Sequence, residues 1–258
     1  MINADRSFPA GIEDQLYNTD HKRLTTTSVP VTGLSAVLFL LTYNRHNELS
    51  LVLTKRSPLV SQPGDLCSPG GRIAGIPDHF ISSVLLLPRT PLRRWRNWQR
   101  MRREDPRNAA RLALIVSAAL RESWEEIRLN PFRVRLLGTL SPRQLSVFDK
   151  TIYPICAWTR SARGFKASRE VESIHLIPVS QLLDPRHYAA YSIRSVSQTS
   201  VSKETICYRH SEGNRQEILW GATLDITLSF LKTIYNFEPP ARNTMPLVED
   251  VFTEEYFS

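Results

Sequence analysis

The sequence predicts an α/β chain with a mixed sheet held between helices, and three observations predict it. Apolar strand runs over residues 35–42 and 49–55 flank a turn-forming segment, Asn44-Arg45-His46-Asn47-Glu48. An amphipathic helix over residues 118–127 carries apolar residues on one side and three carboxylates on the other. A second helical pattern runs over residues 219–235 near the end of the chain. Strands that precede and separate helices in this way suggest a sheet covered on both faces.

Taken in order, residues 1–30 are mixed and polar with no clear period, and are expected to form a loosely packed N-terminal arm. A domain over residues 31–236 follows. It opens with the buried-strand run 35–42 and the hairpin partner 49–55. Residues 57–75 should be loop, punctuated by Pro58, Pro63, Pro69 and four glycines. Strands are expected at 135–141 and 151–159, joined through 142–150, and again at 170–176. A short helix led by Pro178 should end near Asp184-Pro185. The polar stretch 192–204 reads as loop, 205–208 as strand, and 219–235 as the final helix. Residues 237–258 contain prolines and acids and are expected to be a mobile tail.

Composition bounds the function classes. A formal net charge of +8 over 258 residues favours anionic partners such as nucleotides, nucleic acid or acidic lipid. Cys67, Cys156 and Cys207 are odd in number, far apart and without a C-x-x-C pair, so they read as reduced thiols and exclude a disulfide framework or zinc ribbon. The six histidines show no ligand spacing along the chain and read as structural or surface residues. The N-terminal residues lack an apolar run of signal-peptide length, and the longest uncharged apolar stretches, 35–43 and 112–120, are about half a membrane span. The expectation is a soluble, cytoplasmic protein without a membrane span.

The chemistry concentrates in Arg121-Glu122-Ser123-Trp124-Glu125-Glu126. At about 100° per residue, Glu122 and Glu126 lie roughly 40° apart, with Glu125 roughly 60° to the other side. Val116, Leu120, Trp124 and Ile127 are expected to form the buried stripe. Carboxylates at i, i+4 repel one another, and hard divalent cations take carboxylate oxygens while keeping waters for a phosphate-bearing substrate. A solvated acidic face is the alternative. Pro69-Gly70-Gly71 upstream weighs against it, because glycine lets the backbone approach an ion and present a carbonyl oxygen.

These residues resemble the Nudix box, Gly-x5-Glu-x7-Arg-Glu-aliphatic-x-Glu-Glu-x-Gly-aliphatic. The chain supplies Gly71, Arg121, Glu122, Glu125, Glu126 and Leu129, but Arg121 comes 50 positions after Gly71 where the pattern allows 14. Pro77 stands where the box has its first Glu, with Asp78 next to it, and Arg128 stands where the box has its second Gly. The flanks resemble the coenzyme A pyrophosphatase branch: Leu51-Val52-Leu53-Thr54-Lys55-Arg56-Ser57, then Gln62 to Gly71, then Glu170-Val171 running on to Asp184-Pro185, then Ile218-Leu219-Trp220-Gly221-Ala222-Thr223. Within the second block Gln62, Asp65 and Ser68 depart from the branch pattern, at positions expected to help set specificity.

The resemblance implies a Nudix-type α/β/α sandwich with a helical insertion inside the box. It implies hydrolysis of a diphosphate linkage in coenzyme A or an acyl-coenzyme A, giving 3′,5′-ADP and a 4′-phosphopantetheine product, with Mg²⁺ or Mn²⁺ as cofactor. Glu122 and Glu126 are the expected metal ligands, joined by Glu125 and the Gly71 backbone. Arg121 is expected to orient the carboxylates, and Arg56 and Gly70 to meet the substrate. Lys55 is a second candidate for that contact. The lost box Glu weakens metal binding unless Asp78 or another acid of the insertion replaces it. The general base is open between a box glutamate and a later carboxylate such as Glu170 or Glu172. Two alternatives stand beside this reading: hydrolysis of another nucleoside diphosphate derivative, and a catalytically weak module that binds a nucleotide or nucleic acid.

The insertion, residues 76–111, is basic. Nine arginines and no lysine occur from Arg89 to Arg111, against Glu104 and Asp105, and Trp95 and Trp98 are spaced i, i+3. It fits a solvated cover, a phosphate clamp built on arginine forks, or an attachment surface for nucleic acid or anionic membrane. A small-molecule nucleotide is the expected partner rather than nucleic acid, and oligomeric state is left open.

Overall fold

The alternation of β1 (Leu34–Tyr43) decides the layers. Successive strand side chains point to opposite faces. In the computed structural model, which describes residues 11–16, 34–145, 150–195, 198–213, 215–252 and 256, Leu34, Ala36, Leu38 and Leu40 enter one core. Phe39 and Leu41 enter the other. Each fully buried side chain of this size contributes about 1.5–3 kcal/mol relative to exposure, so a central strand buried on both faces fixes the register of everything paired to it.

β1 pairs antiparallel with β2 (Leu49–Arg56), the hairpin expected from the sequence, and parallel with β7 (Lys150–Trp158). β3 (Leu66–Cys67) and β8 (Val171–Pro178) flank β2, and β5 (Arg135–Thr139) and β6 (Arg143–Leu145) flank β7. β4 (Gly70–Arg72) lies antiparallel against β1. The result is an eight-stranded mixed sheet.

On one face packs α5 (Pro106–Ile127), begun by Pro106 and by the Asp105 side chain, which accepts from the Asn108 amide at 3.1 Å. On the other face packs α7 (Gly221–Tyr235), with Phe230 buried against Phe39. The architecture is the mixed α/β sandwich that the sequence predicts.

Three expectations are corrected. Residues 192–204 are not loop: β9 (Tyr188–Ser195) and β10 (Gln198–Glu212) form a second sheet with β11 (Arg215–Trp220) and β12 (Leu247–Phe252). Residues 196–197 lie outside the described residues. The tail is not mobile where described, since β12 pairs parallel with β9 and the Tyr191 hydroxyl donates to Asp250 at 2.8 Å. The N-terminal arm includes a helix, α1, over residues 11–16, which buries Ile12, Glu13 and Leu16. Glu13 accepts from the Arg96 amide at 3.0 Å and the Arg135 guanidinium at 2.8 Å. Residues 1–10 and 17–33 lie outside the described set.

The insertion folds as α2 (Gly75–Leu85), α3 (Pro91–Arg94) and α4 (Trp98–Glu104). A solvated cover does not describe it: Trp95 and Trp98 are buried with Leu92 and Met101 in the α5-side core, Trp98 at 1 % exposure. Part of its basic character is spent internally. Arg94 donates to the carbonyls of Phe132 and Val134, Arg96 pairs with Asp14, and Arg100 pairs with Glu104. Among the described residues no helix is long and apolar enough to cross a membrane.

Candidate active site

The cleft forms where β4 meets the C-terminal third of α5. The Leu38 amide donates to the Pro69 carbonyl at 2.7 Å, and Ala36 and Val37 face Gly71 and Gly70 across the β1–β4 ladder. This pins the Gly-Gly turn to the most buried strand. Gly70 has φ +156°, and a Cβ there would lie 2.3 Å from the Ala36 carbonyl oxygen. A Cβ on Gly71 would lie 2.5 Å from the Glu122 carboxylate. Gly70 is therefore required sterically, whereas a side chain at Gly71 would displace the flexible end of Glu122, and the two halves of the split motif touch.

Arg121 organises the cleft. Its guanidinium donates to Asp78 at 2.8 and 3.2 Å, to the Arg72 carbonyl at 3.0 Å and to Glu125 at 3.1 Å, and lies 3.0 Å from Glu122. Burial acts to lower the Arg121 pKa, but Asp78, Glu122 and Glu125 outweigh it and hold the guanidinium firmly charged. Asp78 is fully buried and also accepts from the Ala74 amide at 2.6 Å. Both of its oxygens are thus engaged by protein donors. It is the counter-ion that fixes Arg121.

Glu126 differs from its neighbours. Burial first, and repulsion from Glu122 second, push its pKa up to about 8, against a hydrogen bond from the Gly70 backbone and the charge of Arg56. Its Oε2 is buried without a hydrogen-bond partner among the described residues. Burial also raises the Glu122 pKa, with Arg121 opposing. Half-buried carboxylates close enough to repel one another, one of them with a buried oxygen unpartnered among the described residues, are a donor set suited to a hard divalent cation.

Trp124 is not part of the buried stripe: it is 49 % exposed and lies beneath the Arg128 guanidinium at 4.9 Å. Ser123 takes the inward position and satisfies its hydroxyl on the Ala119 carbonyl at 2.6 Å. Arg128 caps α5 at φ +57°, a left-handed conformation that explains why glycine serves at this place in the motif.

Around the cleft, Arg56 donates to the Ser61 carbonyl at 2.6 Å and its charge reaches Glu126. Lys55 does not face the site as a spare cation, because it pairs with Glu217 at 3.0 Å and Glu172 at 3.4 Å. Glu172 is thereby drawn away from the acid cluster, whereas the Glu170 charge acts on Glu126. Asp65 accepts from the Trp220 indole at 3.2 Å and from the Tyr256 hydroxyl, tying the loop before the glycines to the second sheet. Gln62 sits at φ +55°, and Ser68 is buried with an unpartnered hydroxyl. The three cysteines are free.

No family model matches the chain. It is 31 % identical over 162 residues to the peroxisomal coenzyme A diphosphatase ndx-8 of Caenorhabditis elegans, a match taking in 62 % of this chain and 54 % of that protein. The chain thus spans about half the length of the curated relative. Among solved structures it is similar to a MutT/nudix family protein from Enterococcus faecalis at 11 % identity and TM-score 0.42, covering 92 % of this chain and 76 % of the other. It is similar to a Nudix hydrolase from M. smegmatis at 14 % identity and TM-score 0.37, covering 58 % and 73 %. Both halves of the split motif fold against one another, and over this region the chain is similar in sequence to that diphosphatase.

Proposed function

We propose that this chain is a metal-dependent diphosphohydrolase that cleaves coenzyme A or an acyl-coenzyme A into 3′,5′-ADP and (acyl-)4′-phosphopantetheine. The observation that carries the reading is Glu126, a half-buried carboxylate with one buried oxygen unpartnered among the described residues, set against Gly70 and beside Glu122. Glu122 and Glu126 would hold Mg²⁺ or Mn²⁺, with Glu125 at the rim and the Gly71 backbone as a further oxygen donor. Such an ion, when bound, neutralises phosphate charge and lowers the pKa of water.

The chain's own groups do the rest. Arg121, fixed by Asp78, holds Glu122 and Glu125 in place. Arg56 adds positive charge beside the acid cluster and offers a guanidinium to an anionic substrate. Glu170, near enough for its charge to act on Glu126, is the carboxylate assigned to accept the proton of the attacking water. The Lys55–Glu172 pair supports Glu170 over Glu172 in that role. The similarity to a coenzyme A diphosphatase supports the substrate. The cytoplasmic location expected from the sequence stands as part of this proposal, beside a relative that is peroxisomal.

The test is product analysis after incubation of the purified protein with coenzyme A, with and without Mg²⁺ or Mn²⁺. Metal-dependent release of 3′,5′-ADP and phosphopantetheine is expected. Cleavage of ADP-ribose or a dinucleotide instead would keep the chemistry and discard the substrate. Inactivity on all three would leave a nucleotide-binding module.

A further inference from the structure

Two histidines that show no ligand spacing along the chain meet in space. His175 on β8, and His210 and Glu212 on β10, each bring one ligand atom within 4.8 Å of the others. His210 and Glu212 are two residues apart on one strand and so share a face. His175 belongs to the eight-stranded sheet and the other two to the four-stranded sheet. His175 Nδ1 lies 3.1 Å from a Glu212 carboxylate oxygen, and its Nε2 lies 2.8 Å from the Ser173 hydroxyl. The His210 ring is 6 % exposed, and its Nδ1 is buried with no hydrogen-bond partner among the described residues. A buried polar atom left unpaired costs about 1–3 kcal/mol, so this nitrogen calls for an explanation.

We propose that His175, His210 and Glu212 form a second metal site, for a divalent transition ion of the zinc class, that clips the two sheets together. Two imidazoles and a carboxylate suit Zn²⁺, at bond lengths of about 2.0–2.2 Å, better than Mg²⁺, which favours oxygen ligands. Ligands at those lengths around a tetrahedron lie about 3.3–3.5 Å apart. The His175–Glu212 pair is already at that spacing, and the third atom needs to close by only about 1 Å. Coordination through Nδ1 calls for the tautomer in which Nε2–H is donated to the Ser173 hydroxyl 2.8 Å away, a contact that fixes the ring. Glu212 is 68 % exposed on its side chain, so a water completes the fourth position. The three residues are distinct from the carboxylates of the cleft, so this site and the proposed hydrolysis stand or fall separately.

The experiment uses the full chain, stripped with chelator and dialysed into millimolar Mg²⁺ to occupy the carboxylate cluster. Zn²⁺ is titrated by calorimetry and Co²⁺ by visible absorption. One equivalent should bind, with the intense bands of four-coordinate Co²⁺. Glu212→Gln, a change at an exposed side chain that leaves folding intact, should weaken Zn²⁺ binding at least about tenfold, within the 10–100-fold range typical even of second-shell losses. His210→Gln should abolish the Co²⁺ bands, while Glu126→Gln should leave both signals unchanged. Equal Zn²⁺ affinity in the wild type and Glu212→Gln, or Co²⁺ bands that persist in both site variants, would overturn the proposal.

Discussion

Asp78 is fully buried and Glu126 half-buried in one cleft, and the two carboxylates meet opposite conditions. Asp78 has every oxygen engaged, by the Arg121 guanidinium and the Ala74 amide. Glu126 has the Gly70 backbone on one side and an oxygen with no partner on the other. A satisfied buried charge holds structure in place, whereas an unsatisfied one is kept for something that arrives later. The difference separates the acid that builds this site from the acid that, in the proposed function, works in it, although both were candidates for the same role in the sequence.

The largest effect that can break this comparison is on stability. Asp78→Ala leaves Arg121 inside the cleft without its main partner, and breaking a buried pair in this way costs about 3–5 kcal/mol. A large fall in Tm is expected, and an unchanged Tm would mean that Asp78 is not structural. Glu126→Gln should do the reverse, with folding preserved and kcat reduced about 10²–10³-fold, the usual consequence of losing one preorganised electrostatic group. Steady-state kinetics on any cleaved diphosphate reads this directly. Gly71→Ala drives a methyl into the Glu122 carboxylate, which lies 2.5 Å from where the Cβ would sit. Because that contact is with the flexible end of a side chain, the stability loss should fall below the about 1–3 kcal/mol typical of overpacking, while metal binding weakens, measured by denaturant titration with and without Mn²⁺.

The smallest effect belongs to Arg128. Relief of its left-handed backbone, worth about 1–2 kcal/mol, is opposed by the entropy of glycine, about 0.5–1 kcal/mol. It is opposed also by loss of the contact with Trp124, about 0.5–1 kcal/mol at an exposed site. Arg128→Gly should therefore shift stability by no more than about 1 kcal/mol in either direction by these same magnitudes. Arg128→Val, β-branched at a positive φ, should destabilise clearly in the same denaturant titration.

Much of the α/β sandwich was legible because its strands are apolar and uninterrupted. The β1 alternation and the hairpin through Asn44–Glu48 were readable from side-chain type alone. β9 was not, because Tyr188-Ala189-Ala190-Tyr191-Ser192-Ile193-Arg194 alternates small, polar and aromatic residues, and its pairing with β10 and β12 is what makes it strand. Helix α1 carried no signal in six residues, since Glu13 is held by Arg96 and Arg135 from distant parts of the chain. At the site, spacing within one helix placed Glu122 and Glu126 together. It could not say that Asp78 would be taken by Arg121, that Glu217 and Glu172 would occupy Lys55, or that Trp124 would turn outward. The first two outcomes depend on partners more than 40 residues away, and no local pattern records them. The insertion misled for a related reason: its arginines dominate the composition, while Trp95, Trp98 and Met101, which do the packing, are few.

The measurement that tests the account most directly is Mn²⁺ binding, followed by electron paramagnetic resonance, to the wild type and Glu126→Gln. Mn²⁺ favours carboxylate and carbonyl oxygen over imidazole, so it reports the cleft. If Glu126 awaits a cation, the wild type binds Mn²⁺ and Glu126→Gln binds it at least about tenfold more weakly, a difference of about 1.4 kcal/mol, with its fold intact by circular dichroism. Equal affinity in the two proteins would contradict the account.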